Sequence, residues 1–224
     1  MNTLTTPPLA PLLERLFADS DASRAILEQQ MGNLSPEERT ARMRSMTDYR
    51  SFYTRVKDIH LAVSRETALL LYMLARNAKA RTIVEFGTSF AISTLYLAAA
   101  LKDNGGGRLI GTEFEPSKVV KARENIAAAG LSALVEIREG DALETLARDL
   151  PDSIDLVLLD GAKSLYPRVL ALLEPRLRAG ALIVADNAEM SPEYVAHVRA
   201  PGGAYLSVPF AEDVELSMKV TGPR

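Results

Sequence analysis

The chain has 224 residues, of which 47% are hydrophobic and 25% charged, as expected for one globular domain or a domain with a small extension. The formal net charge of −3 gives no basic excess, which argues against partners such as nucleic acid or an acidic membrane. Cysteine is absent, which excludes disulfides and thiolate chemistry, and two histidines are too few for a multi-histidine zinc site. With no apolar run of membrane-spanning length and no signal-peptide pattern, the sequence indicates a cytoplasmic protein.

The first 57 residues are predicted to form helices and to contain no strand. Apolar residues recur at helical spacing at Leu12, Leu13, Leu16 and Phe17. Asp21 is predicted to cap a second helix that ends near Met31, and the capping box Ser35–Glu38 begins a third. The third helix carries Arg39, Arg42 and Arg44, which form either a solvated face or part of a substrate lid or dimer arm. We therefore divide the chain into an N-terminal helical extension, residues 1–57, and a main domain, residues 58–224.

From Ser64 onward the pattern alternates between helices and strands. The predicted strands are Thr82–Phe86, Leu109–Glu113, Leu134–Arg138, Ile154–Leu159 and Ala181–Ala185, followed by a hairpin of Tyr205–Val208 and Val214–Val220. The predicted helices after Ser64 include Ser93–Leu101, Ser117–Ala129, Ala142–Asp149, Tyr166–Arg178 and Glu193–Arg199. This alternation predicts an α/β, Rossmann-like fold, with a mostly parallel seven-stranded sheet that ends in an antiparallel hairpin.

A glycine turn follows the first predicted strand, and an acidic residue ends the second. Gly87 allows the backbone to pass close to a ligand, and Glu113 can accept hydrogen bonds from both hydroxyls of a ribose. Ligands of such folds bind outside the carboxyl ends of the strands. The two residues therefore predict a nucleoside cofactor at this turn. Ser89 interrupts the full dinucleotide-binding glycine pattern, which disfavours a nicotinamide dehydrogenase.

The fourth and fifth predicted strands also end in polar residues. Asp160, Asp186 and Asn187 offer hard oxygen ligands, which suit magnesium or calcium. Lys163 lies just beyond Asp160 and is a candidate general base, because a nearby cation and partial burial both favour its neutral form. The alternative is that Asp160 caps a helix, Asp186 and Asn187 form a turn, and Lys163 is a surface lysine.

Together these residues resemble the cation-dependent class I S-adenosylmethionine O-methyltransferases, the group of catechol and caffeoyl-coenzyme A O-methyltransferases. The resemblance runs from about Asp58 to the C-terminus. It rests on the motifs Glu85-x-Gly87-Thr88, Ser93-Thr94, Glu113-x-Glu115-Pro116, Gly140-Asp141-Ala142, Asp160-x-x-Lys163 and Asp186-Asn187. It implies the class I methyltransferase fold, S-adenosylmethionine and magnesium as cofactors, and a homodimer.

The resemblance also implies a role for each matching residue. The methionine part of the cofactor would be surrounded by Glu85, Gly87, Thr88 and Ser93, with backbone help near Val63. Glu113 would bind the ribose, and Asp141 and Ala142 the adenine edge. Asp160 would contact the cofactor as well as the metal ion. The implied metal ligands are Asp160, Asp186 and Asn187, and the implied catalytic residues are Lys163 and Asp160.

The implied reaction is methyl transfer to a hydroxyl of a small vicinal dihydroxy aromatic. Three departures concern the pocket: Ala91 replaces a usual glycine, Ala162 replaces an aromatic gate residue, and the chain has no tryptophan. Glu212 in the hairpin loop is a candidate for orienting a substrate hydroxyl. Two alternatives stay open: a metal-independent methyltransferase, and a non-catalytic cofactor-binding or partner-binding protein on the same fold.

Overall fold

The computed structural model describes residues 2–31, 35, 38, 49–210 and 213–221. Its helices are α1 (Leu9–Met31), α2 (Tyr49–Arg55), α3 (Arg65–Asn77), α4 (Ile92–Asp103), α5 (Pro116–Ala128), α6 (Ala142–Thr145), α7 (Tyr166–Leu173) and α8 (Pro192–Val198). Its strands are β1 (Thr82–Phe86), β2 (Arg108–Glu113), β3 (Val135–Glu139), β4 (Ile154–Leu159), β5 (Leu177–Asp186), β6 (Tyr205–Phe210) and β7 (Val214–Lys219). In the part of the chain so described, no helix is long and apolar enough to span a membrane.

The seven strands form one sheet in the order β3-β2-β1-β4-β5-β7-β6. The first five strands pair in parallel, whereas β7 pairs antiparallel with β5 and with β6. This confirms the predicted seven-stranded, mostly parallel sheet with its C-terminal antiparallel hairpin. Because the chain order reverses on either side of β1, the crevice between the carboxyl ends of β1 and β4 is where a ligand is expected to bind.

The sheet is buried on both faces, which explains the nearly continuous apolar runs of its central strands. One core packs α1, α3 and α4 against the sheet, and a second packs α7 and α8 against the other face. The side chains of Leu12, Leu13, Leu16 and Phe17 belong to the first core. The helical spacing of these residues therefore predicted a helix correctly. The helix belongs to the N-terminal extension in the predicted division of the chain, but its apolar side chains pack into the core of the main domain.

The N-terminal prediction was wrong in one respect. Asp21 does not cap a second helix, because α1 continues without a break from Leu9 to Met31. Aspartate and serine favour helix starts, but the proline of α1, Pro11, lies in its first turn, no glycine or proline follows it in the helix, and the packed apolar side chains favour one long helix. The capping box is confirmed: Ser35 N donates to Glu38 Oε2 at 2.8 Å and Glu38 N donates to Ser35 Oγ at 3.1 Å. The predictions for Arg39, Arg42, Arg44 and Glu212 lie outside the described residues.

Two predicted helices were too long. The helix predicted from Ala142 to Asp149 ends at Thr145, and the one predicted from Tyr166 to Arg178 ends at Leu173. A short 3-10 turn, Glu174–Arg176, follows α7, and its proline cannot continue α-helical hydrogen bonding. The strand β5 then begins at Leu177 rather than at Ala181. Gly180, two residues beyond the predicted end of that helix, instead lies inside β5, where its φ is +77°.

Candidate active site

A cleft enclosing about 670 Å³, including its open mouth, lies at the carboxyl ends of β1, β2 and β4. Five of the predicted site residues line the cleft: Gly87, Glu113, Asp141, Ala142 and Asp160. A smaller recess of about 250 Å³ adjoins it and is lined by Gly87, Thr88, Ser93 and Asp160, among others. The recess also contacts Leu61 and Ala62, while Val63 is buried in the core beside them. The linings of the two cavities share Leu61, Gly87, Ser89 and Asp160.

The turn after β1 requires glycine at Gly87 for two reasons. Its φ is +100°, and a Cβ built there would lie 2.4 Å from the backbone oxygen of Asp160. Ser89 and Ala91 also have left-handed backbones, with φ of +48° and +72°. The left-handed geometry explains why a glycine is usual at the position of Ala91. Here the methyl group of Ala91 is buried, and the alanine itself adopts the left-handed backbone.

Glu113 is fixed at the edge of the cleft by backbone groups. Its Oε2 accepts from the N–H of Ser89 at 2.9 Å, and its Oε1 accepts from the N–H of Glu115 at 2.9 Å. Each carboxylate oxygen has further lone pairs that can accept from a ligand. The side chain is therefore held in place for the predicted contact with ribose hydroxyls.

Glu85 lies behind the wall of the recess and does not line either cavity described above. Its carboxyl accepts hydrogen bonds from three hydroxyls: Ser93 Oγ at 2.7 Å, Thr88 Oγ1 at 2.9 Å and Thr94 Oγ1. Burial raises the pKa of Glu85 to about 7, although the three hydroxyl donors oppose the rise. In this structure Glu85 organises the turn and the start of α4, and its predicted direct contact with the cofactor stays a prediction.

Glu85 is expected to make the stability of the fold depend on pH. An unfolded chain loses this proton near pH 4.5 and the folded chain near pH 7, so the free energy of unfolding falls as the pH rises between them. The two pKa values correspond to a loss of about 3 kcal/mol. Urea unfolding at pH 5 and pH 8 should therefore show Glu85→Gln gaining about that much relative to wild type at the higher pH. The exposed Glu193→Gln should show no such gain, and equal pH dependence in wild type and Glu85→Gln would contradict the prediction.

Lys163 lies between two carboxylates where β4 and β5 end. The residue is 3% exposed, and its Nζ lies 2.8 Å from Asp160 Oδ1 and 3.9 Å from Asp186 Oδ2. The hydroxyl of Tyr166 lies 2.7 Å from the carbonyl oxygen of Leu159 and 2.8 Å from that of Asp186, which ties the two strand ends together. The predicted convergence of Asp160, Lys163 and Asp186 on one rim of the sheet is therefore observed.

The charges in this cluster strongly affect one another. Burial lowers the pKa of Lys163, but the neighbouring carboxylates, Asp160 above all, outweigh burial and hold that pKa well above its ordinary value. Burial, followed by the charge of Asp160, raises the pKa of Asp186 above the ordinary carboxyl range. Lys163 is therefore an ammonium ion here, and it can serve as a base only when another cation compensates the carboxylates.

The donor set of this cluster fits a hard divalent cation. The buried carboxylate of Asp186 and the partly buried one of Asp160 lie around the single positive charge of Lys163, which leaves one negative charge uncompensated when both are ionised. Asn187 follows directly, with a left-handed backbone and its Nδ2 donating to Asp213 Oδ2 at 3.4 Å, which leaves its amide oxygen as a ligand. No group of three or more acidic, histidine or cysteine side chains is placed for a metal in the described ranges, so two carboxylates and one amide oxygen are the ligands to consider.

Helix α2 contributes three side chains to the cleft, and the sequence alone indicated no role for them there. Tyr49, Arg50 and Tyr53 line the cleft. Arg50 forms an ion pair with Asp141, which also caps α6 by accepting from the N–H of Leu143 at 2.9 Å. The Tyr53 hydroxyl donates to the carbonyl oxygen of Gly161 at 3.5 Å, and burial raises its pKa. The i, i+4 spacing of the two tyrosines indicated one helical face but not what that face covers.

The sheet order and the cleft define a class I methyltransferase domain. Residues 84–188 match a family model described as a methyltransferase domain. The chain is 35% identical to a catechol O-methyltransferase of Niastella koreensis over 130 residues, which are 57% of this chain and 58% of that protein. It is 30% identical to catechol O-methyltransferase B of Danio rerio over 178 residues, which are 76% of this chain and 66% of that one. The chain therefore spans less than two thirds of the length of these curated relatives.

A solved structure is similar over nearly the whole chain. The O-methyltransferase TomG of Streptomyces achromogenes, involved in tomaymycin synthesis and crystallised with S-adenosylmethionine, aligns with a TM-score of 0.64 and 26% identity. The alignment covers 91% of this chain and 99% of that one. Residues 84–188 carry a methyltransferase domain, and the predicted resemblance of the chain to the catechol-type O-methyltransferases is confirmed.

Proposed function

We propose that the chain is an S-adenosylmethionine-dependent O-methyltransferase that methylates one hydroxyl of a small vicinal dihydroxy aromatic with the help of a divalent cation. The observation that carries the proposal is the cluster of Asp160, Lys163, Asp186 and Asn187, which adjoins the cleft. It combines hard oxygen ligands with a candidate proton acceptor beside a cofactor-sized cavity. Cytoplasmic location and a homodimer stay predictions.

The cofactor would lie along the cleft and the recess. Thr88 and Ser93 would contact its methionine part in the recess, and Glu113 its ribose. The adenine would lie beside Asp141 and Ala142, under α2. The S-adenosylmethionine bound to the structural relative supports this choice of cofactor.

Replacing Glu113 with alanine is expected to weaken cofactor binding without unfolding the site. The variant loses charge-assisted hydrogen bonds to ribose hydroxyls, a loss of about 10- to 100-fold in affinity. Calorimetry with S-adenosylhomocysteine measures it directly. The control is Glu139→Ala, because Glu139 lies opposite Glu113 in the β2–β3 register but is exposed. Equal affinity of Glu113→Ala and wild type would remove Glu113 from the ribose site.

Asp160, Asp186 and Asn187 would hold the divalent cation, which, when bound, lowers the pKa of a coordinated hydroxyl and orients it. These ligands come from the ends of two neighbouring strands that Tyr166 ties together. The protein would therefore supply these three oxygens to the cation, and adjacent substrate hydroxyls would bind beside them.

Lys163 would accept the proton of the reacting hydroxyl. Its high pKa in the cluster depends on the charges of Asp160 and Asp186, so compensation of those charges lowers its affinity for a proton. The substrate oxygen then forms a bond to the methyl carbon as the bond from carbon to sulfur breaks, and S-adenosylhomocysteine leaves. Alignment of the two reactants contributes about 7–11 kcal/mol in well-oriented reactions.

A metal-independent methyltransferase is the second candidate, and one observation favours it. Lys163 already pairs with Asp160 and partly compensates both carboxylates. In that case the lysine orients Asp160 or binds the substrate directly, and no cation is required.

Mass spectrometry of the reaction products separates the candidates. The assay combines the protein, S-adenosylmethionine and a panel of a caffeate, a protocatechuate and a flavonoid, with magnesium or EDTA. A product that gains one methyl group only with magnesium supports the proposed function, and equal product with EDTA supports the metal-independent candidate. No product in either condition, with S-adenosylhomocysteine still bound in calorimetry, would contradict the proposed substrate class.

A further inference from the structure

Lys118 is a buried lysine in the wall of the cleft. It lies in the first turn of α5 and is 4% exposed, and it lines the same cleft as Glu113. Within the described ranges its side chain makes no ion pair and no hydrogen bond; its ammonium lies 5.4 Å from the centre of the Phe90 ring. Lysines are almost never buried unless paired, because an ammonium ion is costly to remove from water. An unpaired lysine at a ligand cavity is therefore a candidate ligand contact.

The charges around Lys118 restrict what that ligand can be. Burial lowers the pKa of Lys118, and the charges of Glu113, Glu115, Asp160 and Asp58 oppose this effect. Four carboxylates thus act electrostatically on the ammonium, but none of the four forms an ion pair with it. A phosphate or carboxylate of a ligand would be attracted by one cation and repelled by four anions. A neutral hydroxyl group has no such penalty.

A hydroxyl group also matches the chemistry of Glu113 and Lys118, which both line the cleft. A carboxylate accepts hydrogen bonds only and an ammonium donates only, whereas a hydroxyl can donate to the first and accept from the second. Of the four carboxylates, Glu113 has the largest electrostatic effect on Lys118; it lines the same cleft and is fixed by the N–H groups of Ser89 and Glu115. A sugar diol between Glu113 and Lys118 would satisfy both side chains at once.

We propose that Lys118 is a cofactor-binding residue that donates a hydrogen bond to a ribose hydroxyl oxygen, while Glu113 accepts from the ribose. The inference rests on the proposed use of S-adenosylmethionine and adds a residue to that site. It also explains why a cation occupies the first turn of a helix, where the helix dipole disfavours positive charge.

A purely structural role for Lys118 predicts a different result. Its ammonium lies against Phe90, whose ring stacks on His60 with centroids 3.8 Å apart. If Lys118 only supported this stack, removing its charge would change the stability of the fold and the affinity for every cofactor analogue alike. A hydrogen bond to one hydroxyl would instead appear only with analogues that carry that hydroxyl.

Calorimetry with S-adenosylhomocysteine and its 2′-deoxy and 3′-deoxy analogues tests the proposal as a double-mutant cycle. Lys118→Met is expected to bind S-adenosylhomocysteine about tenfold more weakly than wild type. For one of the two deoxy analogues, the wild type and the variant should bind equally. Lys121→Met is the matched control, because Lys121 lies one turn further along α5 and pairs with Glu124 on the surface at 2.8 Å.

The outcomes separate this inference from the proposed function. Unchanged affinity in Lys118→Met, or an equal loss with all three ligands, would overturn the role of Lys118 while the cofactor site stands. Failure of the wild type to bind S-adenosylhomocysteine would overturn the proposed cofactor itself, and the inference with it. Lys118→Gln, which keeps neutral donors on a shorter side chain, replaces the methionine variant if the latter does not fold, and the same cycle applies.

Discussion

Replacing Asp160 with alanine is expected to lower the rate of methyl transfer by about 10³-fold or more, equivalent to about 4 kcal/mol of lost transition-state stabilisation. Asp160 lines both the cleft and the recess, and its Oδ1 lies 2.8 Å from Lys163. The substitution removes a predicted metal ligand and also leaves Lys163 with only the more distant carboxylate of Asp186. Initial rates measured with and without magnesium give the size of the loss.

Asp152→Ala is the control for this experiment, because Asp152 precedes the opposite end of the same strand β4. Its side chain is fully exposed and pairs only with the surface residue Arg176 among the described residues. The rate of this variant should equal that of wild type. Wild-type activity of Asp160→Ala in the presence of EDTA would remove Asp160 from the metal site. Retained binding of S-adenosylhomocysteine would place the loss in the chemical step instead of in cofactor binding.

The centre of the sheet was predictable from the sequence because burial on both faces leaves a clear pattern. β1 and β4 have the bounds that their apolar runs indicate, Thr82–Phe86 and Ile154–Leu159. The errors lie where local signals conflict with packing. Asp21 resembles a helix start but lies inside α1, and Gly180 resembles a helix end but lies inside β5. Tertiary contacts decide such cases, and one sequence does not reveal them.

The rim of the site was predictable for a related reason. Parallel strands bring their carboxyl ends to one edge, so polar residues that follow buried strands converge, as Asp160 and Asp186 do around Lys163. The contact of helix α2 across this rim was not predictable from the sequence. The ion pair of Arg50 with Asp141 joins residues 91 positions apart, and no periodicity or motif encodes such a contact.

Glu85 and Lys118 show that membership of a motif and contact with the cleft are separate properties of a residue. Glu85 belongs to a recognisable motif, yet its carboxyl lies behind the recess and holds three hydroxyls. Lys118 belongs to no motif, yet it lines the cleft and has no ion pair or hydrogen bond of its side chain among the residues that the structure describes. A motif indicates that a residue lies near the ligand, whereas burial and hydrogen bonding determine which residues face it.

Lys163→Met is expected to lower kcat by about 10²- to 10⁴-fold, the usual contribution of a positioned general base. Methionine is close to lysine in size and suits a buried position, but it cannot accept a proton. The affinity for S-adenosylhomocysteine should change little. The pH profile gives a second readout. Because a lysine ordinarily holds its proton at neutral pH, wild-type kcat should increase with pH above neutrality as Lys163 loses its proton. In Lys163→Met this increase should be absent.

The matched control for Lys163 is Lys102→Met, since Lys102 is exposed in the last turn of α4 and outside the cleft. It should leave both kcat and the pH profile unchanged. If Lys163→Met kept the wild-type rate and the same increase with pH, Lys163 would be a structural ion pair of Asp160 and the proton would leave by another route. Loss of rate with an unchanged pH profile would instead identify Lys163 as a positioning residue, because it would then act through the orientation of Asp160 rather than by accepting the proton.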